Sequence, residues 1–184
     1  MRLIPVATFA ALAAFSVPAL AEGLVIPEGG YVVSDDVGQL PPAVAAKRAA
    51  LIAAAETGGI NALKAIFDAE PAPVTVSFGG PDDPIAYLKQ ASMDGEGLEI
   101  LAILLDLLEA PFAAQDGGDG KAVYVWPYLA AMEGLGEAGP ADRVEGIRIA
   151  GAGGFKDIQE FGVWIYWRAY IGEDGDLQAF VAGD

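Results

Sequence analysis

Aromatic side chains with polar tips recur at alternating positions in the last third of the chain. Ten of the 17 aromatic residues follow position 120, including all three tryptophans. Side chains on a strand alternate between its faces, so strands over 122–128 and 161–171 would each gather such residues on one side. The residues predicted to form this aromatic face are Trp126, Tyr128, Trp164, Tyr166, Arg168 and Tyr170. Rings beside a guanidinium suit a sugar, a peptide or a protein surface, so we predict ligand binding here.

A buried sheet would produce the same pattern. Strands that are covered on both faces have the same sequence appearance as strands with one open face. In that alternative a helix lies over the aromatic face, and Arg168 pairs with one of the many acidic side chains. The binding hypothesis therefore depends on whether these rings and the guanidinium face solvent.

Paired carboxylates are the second chemistry that the sequence offers. A glycosidase needs two carboxyl groups about 5–10 Å apart with unequal pKa values. Glu99 adjoins a strongly apolar helix, where desolvation would raise its pKa, and Asp94 lies nearby in the chain. An envelope glycan hydrolase using this pair is the alternative function. With 26 acidic residues some pair will always look suitable, so we assign no catalytic residue.

Three glycine-rich loops carry closely spaced acids, at 94–97, 116–120 and 173–176. Calcium prefers oxygen ligands on loops of this kind. The EF-hand spacing fails, because a loop glycine at Gly95 would place Gln90 and Leu101 at the first and twelfth positions. Asp-Gly pairs are typical of tight turns, so we predict neither a metal nor a cofactor.

The composition excludes several classes of function. There is no histidine and no cysteine, which rules out disulfides, thiolate or imidazole metal ligands, and Ser-His or Cys-His catalysis. A formal net charge of -16, from 26 acidic and 10 basic residues, argues against nucleic acid and anionic lipid as partners. A mean hydropathy of +0.40 indicates a folded chain rather than a disordered one.

The first 21 residues have the pattern of a cleaved secretory signal peptide. Arg2 precedes an apolar run over 3–17, and the small residues Ala19 and Ala21 suit a signal peptidase. The run is shorter than the roughly 20 residues that a membrane span needs. We therefore predict a periplasmic or secreted protein with one globular domain over 22–184 and no membrane insertion after cleavage.

Helical patterns dominate the first half of the mature chain, and strand patterns dominate the second. Helices are predicted over 41–57, 60–67, 84–90, 96–109 and 140–149, with a further turn or two at 155–160. Strands are predicted over 31–33, 74–78, 122–128, 161–171 and 177–181. This order predicts an α+β fold in which N-terminal helices pack on one face of a small C-terminal antiparallel sheet.

Two resemblances accompany these patterns. Residues 54–67 resemble one ankyrin helix-turn-helix unit, but no second copy follows, so they are interpreted as an isolated helical hairpin. The layout of the mature chain resembles small exported bacterial proteins of unassigned function. The segments that carry this second resemblance are the hairpin, Asp-Gly-Glu-Gly-Leu-Glu at 94–99, Tyr-Val-Trp-Pro-Tyr at 124–128 and the closing Phe-Val-Ala-Gly-Asp. It implies no activity.

These observations favour a non-catalytic binding or interaction module of the cell envelope. The expected partner is an envelope saccharide, peptide or protein, held on the aromatic face.

Overall fold

A five-stranded antiparallel sheet and five helices make up the computed structural model, which describes residues 24–118 and 120–183. The predicted signal peptide lies outside these residues. The strands are β1 (Tyr31–Ser34), β2 (Phe112–Asp116), β3 (Ala122–Trp126), β4 (Arg168–Gly172) and β5 (Leu177–Val181). The helices are α1 (Pro42–Glu56), α2 (Ala62–Asp68), α3 (Pro84–Ala91), α4 (Leu98–Glu109) and α5 (Pro140–Phe161). The strands lie side by side in chain order, each antiparallel to the next.

Local sequence signals set the starts of the helices. At α3 the Asp83 carboxylate accepts hydrogen bonds from the N–H groups of Ile85 and Ala86, both at 3.0 Å, and Pro84 occupies the first helical position. Pro42 likewise opens α1, which forms the expected hairpin with α2. These helices therefore begin within two residues of their predicted positions.

One face of the sheet and the apolar sides of α1 and α4 form the core. Helix α4 buries five aliphatic side chains, packs along α1 and contacts β4. The sheet contributes Phe112, Ala114, Tyr124, Trp126, Ala169, Ile171 and Phe180 to the same buried cluster. The predicted α+β fold, with helices packed against an antiparallel sheet, is confirmed.

The predicted strand over 161–171 is wrong in its first seven residues. Helix α5 continues through Phe161 after a kink at Gly151, which has a φ of 71°. Gly162 then ends the helix in a left-handed conformation, its N–H donating to the Ile158 carbonyl at 2.9 Å. Residues 163–167 form a loop, so the strand begins only at Arg168.

Two further corrections concern the sheet. Strand β2 was not predicted, because its alanines give little strand signal. The strand expected over 74–78 is reduced to a single parallel bridge between Thr75 and Ala179. Thr75 N–H donates to the Gln178 carbonyl at 3.0 Å, and Phe180 N–H donates to the Thr75 carbonyl at 2.9 Å. This segment therefore flanks the outer side of β5.

Across the described ranges, no helix combines the length and the apolar character that crossing a bilayer requires.

Candidate binding groove

Trp126 lies on the core face of the sheet and is fully buried. Its ring centroid is 5.4 Å from that of Phe112, and it pairs across the sheet with Ala169. Its indole Nε1 is a buried polar atom with no hydrogen-bond partner in the described part of the chain. The expectation that Trp126 belongs to a solvent-facing aromatic surface is wrong, because the helices cover this face.

Trp164 and Tyr166 lie in the loop before β4 rather than on a strand. Trp164 is buried, and its Nε1 donates to the Trp167 carbonyl at 3.0 Å. Its ring meets that of the half-buried Tyr166 edge to face at 6.3 Å. Burial raises the pKa of Tyr166, and the nearby carboxylates of Glu99 and Asp106 on α4 raise it further. These rings therefore do not share a sheet face with Arg168, contrary to prediction.

Tyr128 lies just beyond β3, at the start of a short 3₁₀ helix, Tyr128–Ala131. Its hydroxyl donates to Asp142 Oδ1 at 2.7 Å, and burial together with this bond raises its pKa. Tyr128 and Asp142 line a cavity of about 470 Å³ beside β1, together with Tyr31 and Asp35. Tyr128 thus lines a different cavity from Arg168 and Tyr170.

Arg168 and Tyr170 do lie together, on the face of β4 that points away from the core. Arg168 is paired with Val181, and Tyr170 is paired with Ala179 on one side and Val125 on the other. They line a groove of about 290 Å³, called here the outer groove. Its lining residues are Thr75, Phe78, Arg168, Tyr170, Gln178, Ala179 and Val181.

Arg168 has an unusual environment for a charged residue. It is only 8% exposed. Its Nη1 donates two long hydrogen bonds, to the carbonyls of Trp164 at 3.3 Å and Tyr166 at 3.4 Å. The guanidinium carbon lies 6.0 Å from the centroid of the Phe78 ring. Among the described residues no carboxylate is within ion-pair distance of Arg168, so the expected pairing with an acid is not found there.

The other guanidinium nitrogens of Arg168 remain available. Nε and Nη2 make no hydrogen bond to any described residue. In the described ranges, Trp126 Nε1 is the only side-chain nitrogen that is both fully enclosed and without a hydrogen-bond partner. Nε and Nη2 of Arg168 lack a partner but are not fully enclosed, and Arg168 is among the residues that line the outer groove.

Asp94 and Glu99, the alternative catalytic pair, hold the start of α4 together. Asp94 accepts hydrogen bonds from the Ser92 hydroxyl and from four backbone N–H groups, including those of Glu96 and Glu99. Glu99 Oε2 accepts in return from Met93 N–H at 2.7 Å. The Ser92 bond first, and the backbone bonds with it, lower the pKa of Asp94. Both carboxylates are therefore engaged in local hydrogen bonds that hold the segment before α4 in place.

The other acidic loops also use their carboxylates within the fold. Asp116 accepts from Gly118 N–H at 2.9 Å, and Glu173 accepts from Ala122 N–H at 3.0 Å. Asp174 forms an ion pair with Lys121. Over 24–118 and 120–183 no three potential ligand side chains come together as a metal site requires. These loops act as turns of the sheet.

Sequence reasoning missed Phe78 and Thr75 as groove residues. Phe78 is 61% exposed and is the last residue of the alternating segment 74–78, which the sequence predicts as a strand. The signal that could have identified it is a large aromatic residue directly before Gly79 and Gly80, where a turn exposes it. Its proximity to Arg168 depends on the bridge between Thr75 and β5, which no local pattern specifies.

No family model, no curated protein and no solved structure matches this chain.

Proposed function

We propose that the protein is an exported, non-catalytic binding module of the cell envelope, located in the periplasm or secreted, and that its outer groove holds a saccharide, peptide or protein segment. The signal-peptide pattern over 1–21 supports export. The groove contains two of the predicted contact residues, Arg168 and Tyr170.

One observation carries this proposal: the outer groove has no carboxylate in a protein of net charge -16. Each of four other cavities in the described part of the chain has at least one acidic side chain in its wall. An acid-free concave surface with an exposed phenyl ring, a tyrosine and an arginine is suited to contact rather than to solvation.

The size of the groove limits what it can hold. Its volume of about 290 Å³ is near the lower end of the range for small-molecule sites, which is roughly 300–1,000 Å³. That space accepts one sugar ring or one or two amino-acid side chains. A larger ligand would contact the groove with one group and extend beyond it.

The test compares two phenylalanines with similar exposure. The full chain is expressed and exported, and the protein is purified from the envelope fraction. Its N-terminus should be Glu22, as cleavage after Ala21 predicts. Retention is then measured on purified peptidoglycan, on immobilised oligosaccharides and on a peptide array. Phe78→Ala should lower retention on the material that the wild type binds. Phe161→Ala, which removes a 68% exposed ring outside the groove, should not.

Three results would overturn the proposal. The first is that the wild-type protein is retained on none of these materials. The second is that the F78A and F161A variants are both retained as well as the wild type. The third is clearing of cell-wall material in a zymogram that Glu99→Gln abolishes, since that would make the protein a hydrolase.

A further inference from the structure

We infer that the outer groove is an anion site in which Arg168 binds a carboxylate carried on a compact apolar or ring-shaped group. This inference rests on the proposed function and specifies its ligand chemistry. Three independent observations support the inference. They are the charge of Arg168, its free donor edge and the composition of the groove wall.

The first step concerns the charge. An arginine remains protonated at any physiological pH, and a buried charge is costly unless an opposite charge or several hydrogen bonds compensate it. Arg168 is only 8% exposed. Of its guanidinium nitrogens only Nη1 has hydrogen-bond acceptors, and both are neutral carbonyls at long distances. A bound anion would supply the missing compensation.

The second step concerns geometry. The Nε and Nη2 N–H groups of a guanidinium point in parallel, so this edge matches the two oxygens of a carboxylate. In Arg168 this edge has no partner among the described residues, whereas the Nη1 bonds to Trp164 and Tyr166 fix the plane of the group. The side chain is therefore oriented before a ligand arrives, which reduces the entropy lost on binding.

The third step concerns what surrounds the carboxylate. The wall near Arg168 consists of the Phe78 ring, the Tyr170 ring and two small aliphatic side chains, Ala179 and Val181, with Thr75 and Gln178 as neutral polar groups. Rings and aliphatic groups bind the apolar part of a ligand, and the hydroxyl and amide bind its polar substituents.

Charge also distinguishes a carboxylate from a phosphate. The groove offers one cation, and the protein as a whole is strongly negative. A dianion would meet the same single guanidinium, but the negative charge of the protein would repel it twice as strongly as a monoanion. This repulsion acts within a Debye length of about 10 Å at 0.1 M salt. A singly charged carboxylate is therefore the better match.

Two sources supply such a group: a hexuronic acid, or the free C-terminus of a peptide. Calorimetric titration at pH 7 compares glucuronate with glucose, and N-acetyl-alanyl-alanine with its C-terminal amide. In at least one pair the acid should bind about tenfold more tightly than its neutral partner, because only the acid can use the guanidinium edge. The pair that responds identifies the source. Inorganic phosphate should compete weakly.

Variants locate the site. Arg168→Gln should abolish the preference for the acid, and Arg168→Lys, which keeps the charge but loses the fork, should reduce affinity about fivefold or more. Arg143→Gln removes the same charge from an exposed position on α5 and should change nothing. Circular dichroism confirms folding. If R168Q does not fold, the wild-type comparison of acid with neutral partner still decides, since it needs no variant.

Equal binding of acid and neutral partner would overturn the inference, as would undiminished acid preference in a folded R168Q. The inference would also be overturned if neither pair of compounds bound, while envelope material still retained the wild type more strongly than F78A. In these cases the proposed function survives, because retention depends on Phe78. Loss of both the retention and the titration signal would overturn both.

Discussion

Replacing Gly97 by alanine should strongly destabilise the contact between the α1–α2 hairpin and α4. Gly97 precedes α4 with a φ of 95°, a conformation that residues with a Cβ rarely adopt. A Cβ at this position would lie 2.8 Å from the Cβ of Ile60, which is buried at the turn between α1 and α2. Because Ile60 Cβ is fixed to the backbone, rotation of its side chain cannot relieve the clash.

Two costs add in the Gly97→Ala variant. The left-handed conformation costs a residue with a Cβ about 1–2 kcal/mol. Forcing a methyl group into packed surroundings costs about 1–3 kcal/mol. The free energy of unfolding should therefore fall by about 2–5 kcal/mol, a large part of the roughly 5–15 kcal/mol that stabilises a typical domain. For a domain of this size each kcal/mol lowers Tm by about 2–4 °C.

Gly95→Ala is the matched control. Gly95 also has a positive φ, of 70°, but its added Cβ would meet no atom within 4 Å. This variant should lose only the conformational part, about 1–2 kcal/mol. Urea unfolding followed by tryptophan fluorescence measures both variants. If G97A and G95A lose the same stability within about 0.5 kcal/mol, the close packing of Gly97 on Ile60 would be refuted.

Three further predictions concern charged and titratable groups. The hydrogen bond from Ser92 lowers the pKa of Asp94, so its stabilisation is present above pH of about 4 and is lost as pH falls below that value. Asp94→Asn should flatten the decline of the urea midpoint between about pH 4 and pH 2; an unchanged slope would contradict this. Burial and Asp142 raise the pKa of Tyr128, so its contribution is present below pH of about 10 and disappears as pH rises further. Tyr128→Phe should lower the free energy of unfolding by about 1 kcal/mol at pH 7. It should also remove the tyrosine ionisation that occurs at the highest pH in an alkaline absorbance titration. Loss of an ionisation at lower pH instead would show that Tyr128 is not shielded. Arg168→Met should unfold at a urea concentration no lower than the wild type, because an apolar side chain of similar volume replaces an uncompensated charge; a loss above about 1 kcal/mol would assign Arg168 a structural role.

The helices were predictable because their signals are local. Asp83 followed by Pro84 contains the information for the start of α3, and the aliphatic run after Gly97 contains that for α4. The helical part of α5 beyond Gly151 was anticipated only in part, since its glycines disfavour any regular structure. Alternating apolar residues at 161–171 predict a strand over the whole range. Such a segment forms a strand only where a neighbouring strand pairs with it.

The aromatic face was partly predictable for a related reason. Arg168 and Tyr170 were expected together and lie together, because two positions apart on a strand always share a face. Which face the helices cover is a property of the whole sheet. Trp126 is paired with Ala169, whose small side chain leaves room for the indole on the covered side. Nothing in the local sequence distinguishes that side from the other.

The loop before β4 positions Arg168 without neutralising it. Gly183 N–H donates to the Ile165 carbonyl at 2.9 Å, which ties this loop to the chain beyond β5. The loop then directs the carbonyls of Trp164 and Tyr166 at Nη1. Carbonyl dipoles orient a guanidinium but do not neutralise its charge. A carboxylate would both orient it and neutralise it. In a chain with 26 acidic residues, an arginine oriented by carbonyls alone keeps the charge that the carboxylate ligand proposed above would use.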